Sequence, residues 1–405
     1  MSQHTASDPA ATSVLGRGLI LLMATATGVA VANIYYNQPM LGVIEADLPP
    51  SPLAGFIPTA TQLGYAAGLF LVVPLGDIVE RRRLITIQFA LLALALAAAA
   101  LAPNALALAA ASVLIGMGSS VAQQIVPFAA ALSAPGRQGR TIGTVMAGLL
   151  CGILFSRTLA GFVATHAGWR AMFGLGVPLA LAAAAVMRAT LPRSVPTATI
   201  GYGAALVSLG RLWRHHPALR RATYTQAALF GAFSAFWTVL AFHLAEPHFG
   251  LGADFAGLFG LIGAAGVFAA PLAGTLADRR GPRAVIAAGA ATVLVSWLVF
   301  VGWNSLAGLV VGVLLLDFGA QSALISHQHL VYALEPAARS RLNTVFMTGM
   351  FLGGALGSAG ATAAWMQGGW TAVGLFGVAL GAMALGVTAL ARTRRGHPQT
   401  KTAAH

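Results

Sequence analysis

The sequence predicts an all-α membrane protein of twelve transmembrane helices in two six-helix bundles, with the N- and C-termini both cytoplasmic. Three observations carry this prediction. Apolar stretches recur along a chain that is 58% hydrophobic and only 8% charged, and each is close to the roughly 20 residues a bilayer core demands. The basic residues sort by loop: the even-numbered gaps between spans, with the span ends that border them, and the two termini hold them, whereas only Arg170 falls in an odd-numbered gap and only Arg157 well inside a span. Cytoplasmic loops carry the excess of Lys and Arg, so this parity sets the orientation, and a miscounted span would invert it downstream. Landmarks of the first half also return about 200 residues later.

The elements follow in order. The polar tail, 1–17, lacks the basic-then-apolar layout of a signal peptide, which leaves insertion to the first span. Spans near 18–40, 55–75, 84–102, 106–132, 141–165 and 171–189 make the first bundle, 18–189. A cytoplasmic linker, 190–220, is broken up by Pro192, Pro196 and Pro217. Within it Leu206, Leu209, Leu212 and Trp213 recur at helical spacing beside Arg211, Arg214, His215 and His216. That pattern reads as a short helix lying on the inner leaflet, or as a plain linker. Spans near 221–245, 255–275, 284–303, 306–334, 343–366 and 370–391 make the second bundle, 221–391, and a cytoplasmic tail, 392–405, follows. The repeat is carried by three landmarks in one register. Gly76, Glu80 and Arg81 return as Gly274, Asp278 and Arg279; Arg140, Thr144 and Val145 as Arg341, Thr344 and Val345; Gly168-Trp169 as Gly369-Trp370. Parallel repeats of this kind build transporters with a site between their halves.

Composition also excludes. So few charges leave no room for a sizeable soluble domain, which a membrane sensor would be expected to carry. The net charge of +13 is dispersed through short loops instead of gathered in one stripe, so it speaks for topology and contact with anionic lipids and against nucleic acid. The single cysteine, Cys151, lies within a span, which leaves no disulfide framework and no thiolate metal site. No Gly-x-x-x-x-Gly-Lys-Ser/Thr phosphate loop supports a primary pump, and no His-Glu-x-x-His or Gly-x-Ser-x-Gly supports an intramembrane enzyme. The expectation is a monomer without a cofactor, working on a small molecule with protons as the coupling ion.

Ionisable groups at membrane depth cost about 2.5–3.5 kcal/mol on insertion scales and are functional candidates by default. Two stand out. Asp317 lies about twelve residues into the tenth span, near the midplane, and Arg157 lies in the outer half of the fifth. Burial disfavours the charged form of an acid and a neighbouring arginine favours it, so an acid held between the two changes protonation when conformation changes. Arg157 is either that neighbour or the anchor of an anionic substrate; an ion pair that only fixes packing is the structural alternative. Gln321 and Gln328 lie within about 40° of Asp317 on one helix face, a polar stripe expected to face a water-filled cavity. Asn33, Tyr36, Asn37 and Gln38 on the first span, Gln62 on the second and Gln123 and Gln124 on the fourth are candidates for substrate contact or for hydrogen bonds between helices. Trp237, with Phe233, Phe236 and Phe242, forms an aromatic cavity wall or faces lipid. His327 and His329 have no carboxylate or thiolate beside them, so a metal role is not expected.

The twofold element Gly76-Asp77-Ile78-Val79-Glu80-Arg81 and Gly274-Thr275-Leu276-Ala277-Asp278-Arg279 resembles the signature loop of the major facilitator superfamily. In the first copy Arg83 replaces the second glycine; the second keeps Gly281 and Arg283. The stretch Asn33-Ile34-Tyr35-Tyr36-Asn37-Gln38-Pro39 is similar to a bacterial subgroup near the drug:proton antiporters. Two of the antiporters' features are absent. No arginine falls between Ser112 and Gly118, and their helix-five Gly-Pro-x-x-Gly-Gly reads Ser156-Arg157-Thr158-Leu159-Ala160-Gly161. The resemblance implies secondary transport by alternating access, proton-coupled efflux of a drug or metabolite, with uptake of a sugar or organic acid as the alternative. Gly76, Asp77, Glu80, Arg81, Gly274, Asp278 and Arg279 are then gating residues, because an acid–arginine pair at the membrane surface biases a two-state equilibrium by a few kcal/mol.

Overall fold

Long runs of Ala, Leu, Val and Gly in an apolar medium must satisfy their backbone polar groups internally, and each run does so as a helix. The computed structural model describes residues 16–134, 136–196, 201–263, 279, 281–335 and 338–393, and no β-strand occurs among them. The helices are α1 (Arg17–Ala32), α2 (Asn37–Asp47), α3 (Ile57–Ala67), α4 (Arg81–Ala100), α5 (Ala105–Ser119), α6 (Ala122–Ala131), α7 (Gln138–Ala167), α8 (Trp169–Thr190), α9 (Tyr202–His215), α10 (Pro217–Ala245), α11 (Ala253–Gly263), α12 (Pro282–Gly302), α13 (Leu306–Tyr332) and α14 (Arg339–Thr393). Among the described residues, ten helical stretches are long and apolar enough to cross a membrane. The last of them holds two expected spans, divided where Gly368 and Gly369 leave helical geometry. Gly369 has φ 55°, a conformation that favours glycine. The span expected near 255–275 enters the description as α11 alone; the rest of it, and the terminal residues 1–15 and 394–405, lie outside the described residues.

Among the described residues, three expected spans are interrupted. The first breaks over residues 33–36 and resumes as far as Asp47. Asn33 Nδ2 donates to Val29 O at 2.6 Å and to Ala30 O at 3.4 Å, competing with the helical ladder at the break. The second passes from α3 into a π turn, Gly68–Val72, and a tight turn, Val73–Asp77, where Pro74 supplies no N–H. The fourth breaks between α5 and α6, where Ser120 Oγ donates to Met117 O at 2.7 Å.

Packing repeats as the sequence does. Gly148 and Gly152 on α7 press against Ala24 and Gly28 on α1; a Cβ on Gly28 would stand 2.6 Å from Gly148 O. In the second half Gly349 and Gly353 on α14 press against Thr223 and Ala227 on α10. Small residues at these crossings let the backbones approach, the main source of helix association where no hydrophobic effect operates.

The linker contains a helix. α9 buries Ala205, Leu209 and Leu212 against the protein, while Leu206 and Trp213 are half-buried. Tyr202 Oη donates to Leu71 O at 2.7 Å, and Arg220 Nη1 donates to Trp213 O and Arg214 O, each at 2.8 Å, at the helix C-terminus.

The two halves meet through neutral hydrogen bonds at the end opposite the arginine-rich loops. Thr59 Oγ1 donates to Ser358 Oγ at 3.0 Å, Ser234 Oγ to Gln62 Oε1 at 3.3 Å, Thr362 Oγ1 to Gly55 O at 2.8 Å and Thr158 Oγ1 to Gly257 O at 3.1 Å.

Candidate functional site

The α7–α11 crossing places Arg157 at the boundary between the halves. A Cβ on Gly257 would lie 2.6 Å from Arg157 O, and one on Gly260 2.9 Å from Arg157 Cβ, so glycines on α11 bring the second half's backbone onto the arginine. Its guanidinium, buried, stands 3.8 Å from the Trp237 ring centroid, 4.7 Å from that of Tyr35 and 5.6 Å from that of Phe233. Aromatic faces stabilise a desolvated guanidinium by about 2 kcal/mol or more. Arg157 Nε donates to Gln38 Oε1 at 3.1 Å, whereas the buried Nη2 has no partner among the described residues.

Asp317 lies on α13, also buried, and its Oδ2 has no partner among the described residues either. A Cβ on Gly263 would stand 2.9 Å from Asp317 Oδ2 and 3.1 Å from Trp237 Cζ2. Trp237 therefore neighbours both charged residues, and its own Nε1 is buried and unpartnered. No direct ion pair joins Arg157 to Asp317. A cation, an acid and an indole N–H with spare hydrogen-bonding capacity stand in an apolar enclosure between two halves, an arrangement chemically able to take up a ligand or a proton, since buried polar groups are ordinarily satisfied. Among the described residues no cluster of His, Cys, Asp or Glu could hold a metal ion.

The family model described as Major Facilitator Superfamily matches residues 20–332 and 248–405. The chain belongs to the major facilitator superfamily. It is similar to the uncharacterized transporter YgaY of Escherichia coli O157:H7, 41% identical over 358 residues, 88% of this chain and 91% of that one. The probable transporter SCO4007 of Streptomyces coelicolor is 38% identical, over 86% of this chain and 82% of its own. A solved structure of a peptide transporter POT variant in complex with sulfate matches with a TM-score of 0.73 at 15% identity, covering 92% of this chain and 94% of that chain, which shows the fold. The protein is a multi-pass membrane transporter of the superfamily and not an enzyme.

Around this superfamily member's central site the other candidates divide. Gln38 joins Arg157, and Gln62 bridges to Ser234 across the halves. Asn37 Nδ2 donates to Thr61 Oγ1 at 2.7 Å and leaves its buried Oδ1 without a partner, as Asn33 does. Tyr36 is buried, yet Tyr35 is the ring on the arginine. The break in the first span sets this orientation: outside a regular helix, spacing no longer says which neighbour faces the arginine. Gln124 donates to Gln88 Oε1 at 2.9 Å and Val72 O at 3.3 Å, an internal network of the first half, and Gln123 donates to Tyr65 Oη at 3.2 Å. Gln321 is partly exposed, and Gln328 Nε2 reaches Met347 Sδ at 4.0 Å. Phe236 stacks on Phe300 at 4.4 Å and Phe242 on Trp365 at 6.0 Å, so both serve packing. The spacing of Gly257, Gly260 and Gly263 along one helix face was the available signal for the α11 approach.

At the arginine-rich end, Arg81 donates from Nε to Gly76 O and from Nη2 to Asp77 Oδ1, each at 2.9 Å, and its backbone N–H donates to Ser194 Oγ at 2.9 Å. Glu80 faces Arg82 at 3.6 Å. In the second copy Arg279 is exposed, while Gly274 and Asp278 lie outside the described residues.

Proposed function

We propose that this protein is a proton-coupled secondary transporter exporting a small organic molecule, a drug or metabolite, by alternating access across the bacterial inner membrane. The reading takes twelve spans with both termini cytoplasmic, and two bundles, 18–189 and 221–391, rocking about the linker 190–220. One observation carries the coupling: Asp317 of the second half and Arg157 of the first meet beside Trp237 without forming an ion pair. When the halves rock, the separation of acid and guanidinium changes, and with it the relative stability of the charged and neutral acid. Asp317 is then the proton carrier, Gln38, Gln62 and Trp237 line the substrate path, and the Arg81 and Arg279 loops gate it. Export follows from the likeness to the drug:proton antiporters.

A second reading, uptake of an organic acid, is favoured by the unpartnered Arg157 Nη2, a charged donor suited to a carboxylate.

The test is flux in proteoliposomes, with a substrate found by ligand-stabilisation screening at two pH values. Asp317→Asn should abolish transport driven by a pH gradient yet retain substrate exchange at equal pH, which needs no net proton movement. Undiminished gradient-driven transport by a stable variant would sink the carrier role. The sign of the gradient that accumulates substrate decides between export and uptake.

A further inference from the structure

The arginine-rich end of the second half contains a cavity of about 360 Å³, enclosed by the starts of α10 and α12 and the ends of α13 and α14. That is the lower end of the size range of small-ligand sites. It is separate from the central site. Ten positions along α13 divide its His327 from Asp317, or about 15 Å at 1.5 Å per residue.

Its lining is graded. Ile286, Leu330, Leu334 and Val387 supply the apolar part. Thr225 and His327 are buried at 3% exposure, and His327 is fixed by a bond from Nδ1 to Gln226 Oε1 at 3.0 Å. Arg221 and Arg283 line the same cavity and are exposed, which puts the charge at the mouth. Both arginines stand within the first five residues of a helix. A helix N-terminus carries the positive end of the dipole and ordinarily attracts acids, but neither α10 nor α12 has an acid in its first turn. Two guanidiniums and two helix N-termini thus direct positive potential at one opening, which an anion would relieve.

We infer that this cavity binds an acidic amphiphile, with its anionic head on Arg221 and Arg283 and its chain against Ile286, Leu330 and Leu334. The source is an anionic phospholipid of the leaflet at this end of the protein. A free inorganic anion would use the arginines and leave the apolar interior unfilled, so the graded lining favours the lipid. The inference does not depend on the transported substrate or on the coupling ion.

The experiment titrates the purified full chain in detergent with phosphatidylglycerol, with phosphatidylcholine of equal chain length and with inorganic phosphate. Thermal unfolding and native mass spectrometry of retained lipid are the readouts. Phosphatidylglycerol should be retained selectively and raise the melting temperature, and the other two should not. Arg221→Gln with Arg283→Gln, both at exposed positions, should weaken phosphatidylglycerol roughly thirtyfold, at about fivefold per arginine. Leu330→Trp fills the apolar part without altering charge and should displace the lipid as well, which a diffuse surface attraction would not show. Equal retention of the two lipids, or unchanged affinity in the double-arginine variant, overturns the inference. So does stabilisation by inorganic phosphate alone, which would make the ligand a free anion.

Discussion

Arg157→Met is the substitution that best separates a working arginine from a structural one. Methionine keeps an unbranched stem over Trp237 and removes the charge. The variant loses about 2 kcal/mol of cation–π attraction at a desolvated tryptophan, and about 2 kcal/mol for the charged hydrogen bond to Gln38. It is relieved of the desolvation of a buried ion, worth several kcal/mol, and of an unpartnered Nη2, worth about 1–3 kcal/mol. The two sides nearly cancel, because no ion pair with Asp317 has to be broken. Arg157→Met should therefore unfold within about 2 kcal/mol of the wild type while losing transport. Denaturant unfolding in mild detergent, followed by tryptophan fluorescence, gives the first quantity, and proteoliposome flux gives the second. Destabilisation beyond about 4 kcal/mol, the range of a broken buried pair, would show that Arg157 holds the halves together, and the site assignment would fall.

Further outcomes follow from neighbouring geometry. Asp317→Asn should cost less than the roughly 3–5 kcal/mol of a broken buried pair, measured by the same unfolding, since the acid and the guanidinium make no direct contact. His243 is stacked on Trp370 at 3.8 Å, with Nδ1 2.7 Å from Glu246 Oε2 and Nε2 3.0 Å from Asn304 Oδ1. His243→Phe keeps the stack and removes both bonds, so a loss of about 2–4 kcal/mol is expected in denaturant unfolding; a neutral result would contradict the pairing. Arg81→Ala removes the bonds to Gly76 and Asp77 and should slow transport while substrate affinity stays within a few-fold, as titration on purified protein would report. Reporters fused after Arg221 or Arg395 should read cytoplasmic and one after Glu246 periplasmic; a periplasmic C-terminus would overturn the twelve-span reading.

Asp317 and Arg157 were legible in the sequence because a charge inside an apolar run is conspicuous whatever the packing. Their shared neighbour was less so: Trp237 and Phe233 look the same in sequence as Phe236, which packs in the second half's interior, and Phe242, which is half-buried. Which rings face a cation depends on tertiary contacts. The amides show the same limit, since Gln38 and Gln124 carry one chemistry and only their partners tell a site residue from an internal brace. Most described helix ends lie within a few residues of the expected spans, though the first runs on to Asp47. Breaks at Asn33 and Ser120 were not, because side-chain bonds to the preceding turn leave no mark on hydropathy.

The contacts between the halves differ in kind from the ion pairs within the first half. The halves are joined at one end by hydroxyl, amide and carbonyl groups, Thr59 with Ser358, Ser234 with Gln62, Thr362 with Gly55 and Thr158 with Gly257, none of which carries a formal charge. The pairs Arg81 with Asp77 and Arg82 with Glu80 are ionic, and each closes within the first half, as Arg170 with Asp47 does at the opposite end. Mobile salt screens exposed charges beyond about 8 Å at 0.15 M and weakens surface ion pairs, yet it leaves neutral hydrogen bonds almost untouched. Raising ionic strength therefore weakens pairs within the first half and spares the hydrogen bonds between the halves, so the closed end of this conformation should persist in high salt.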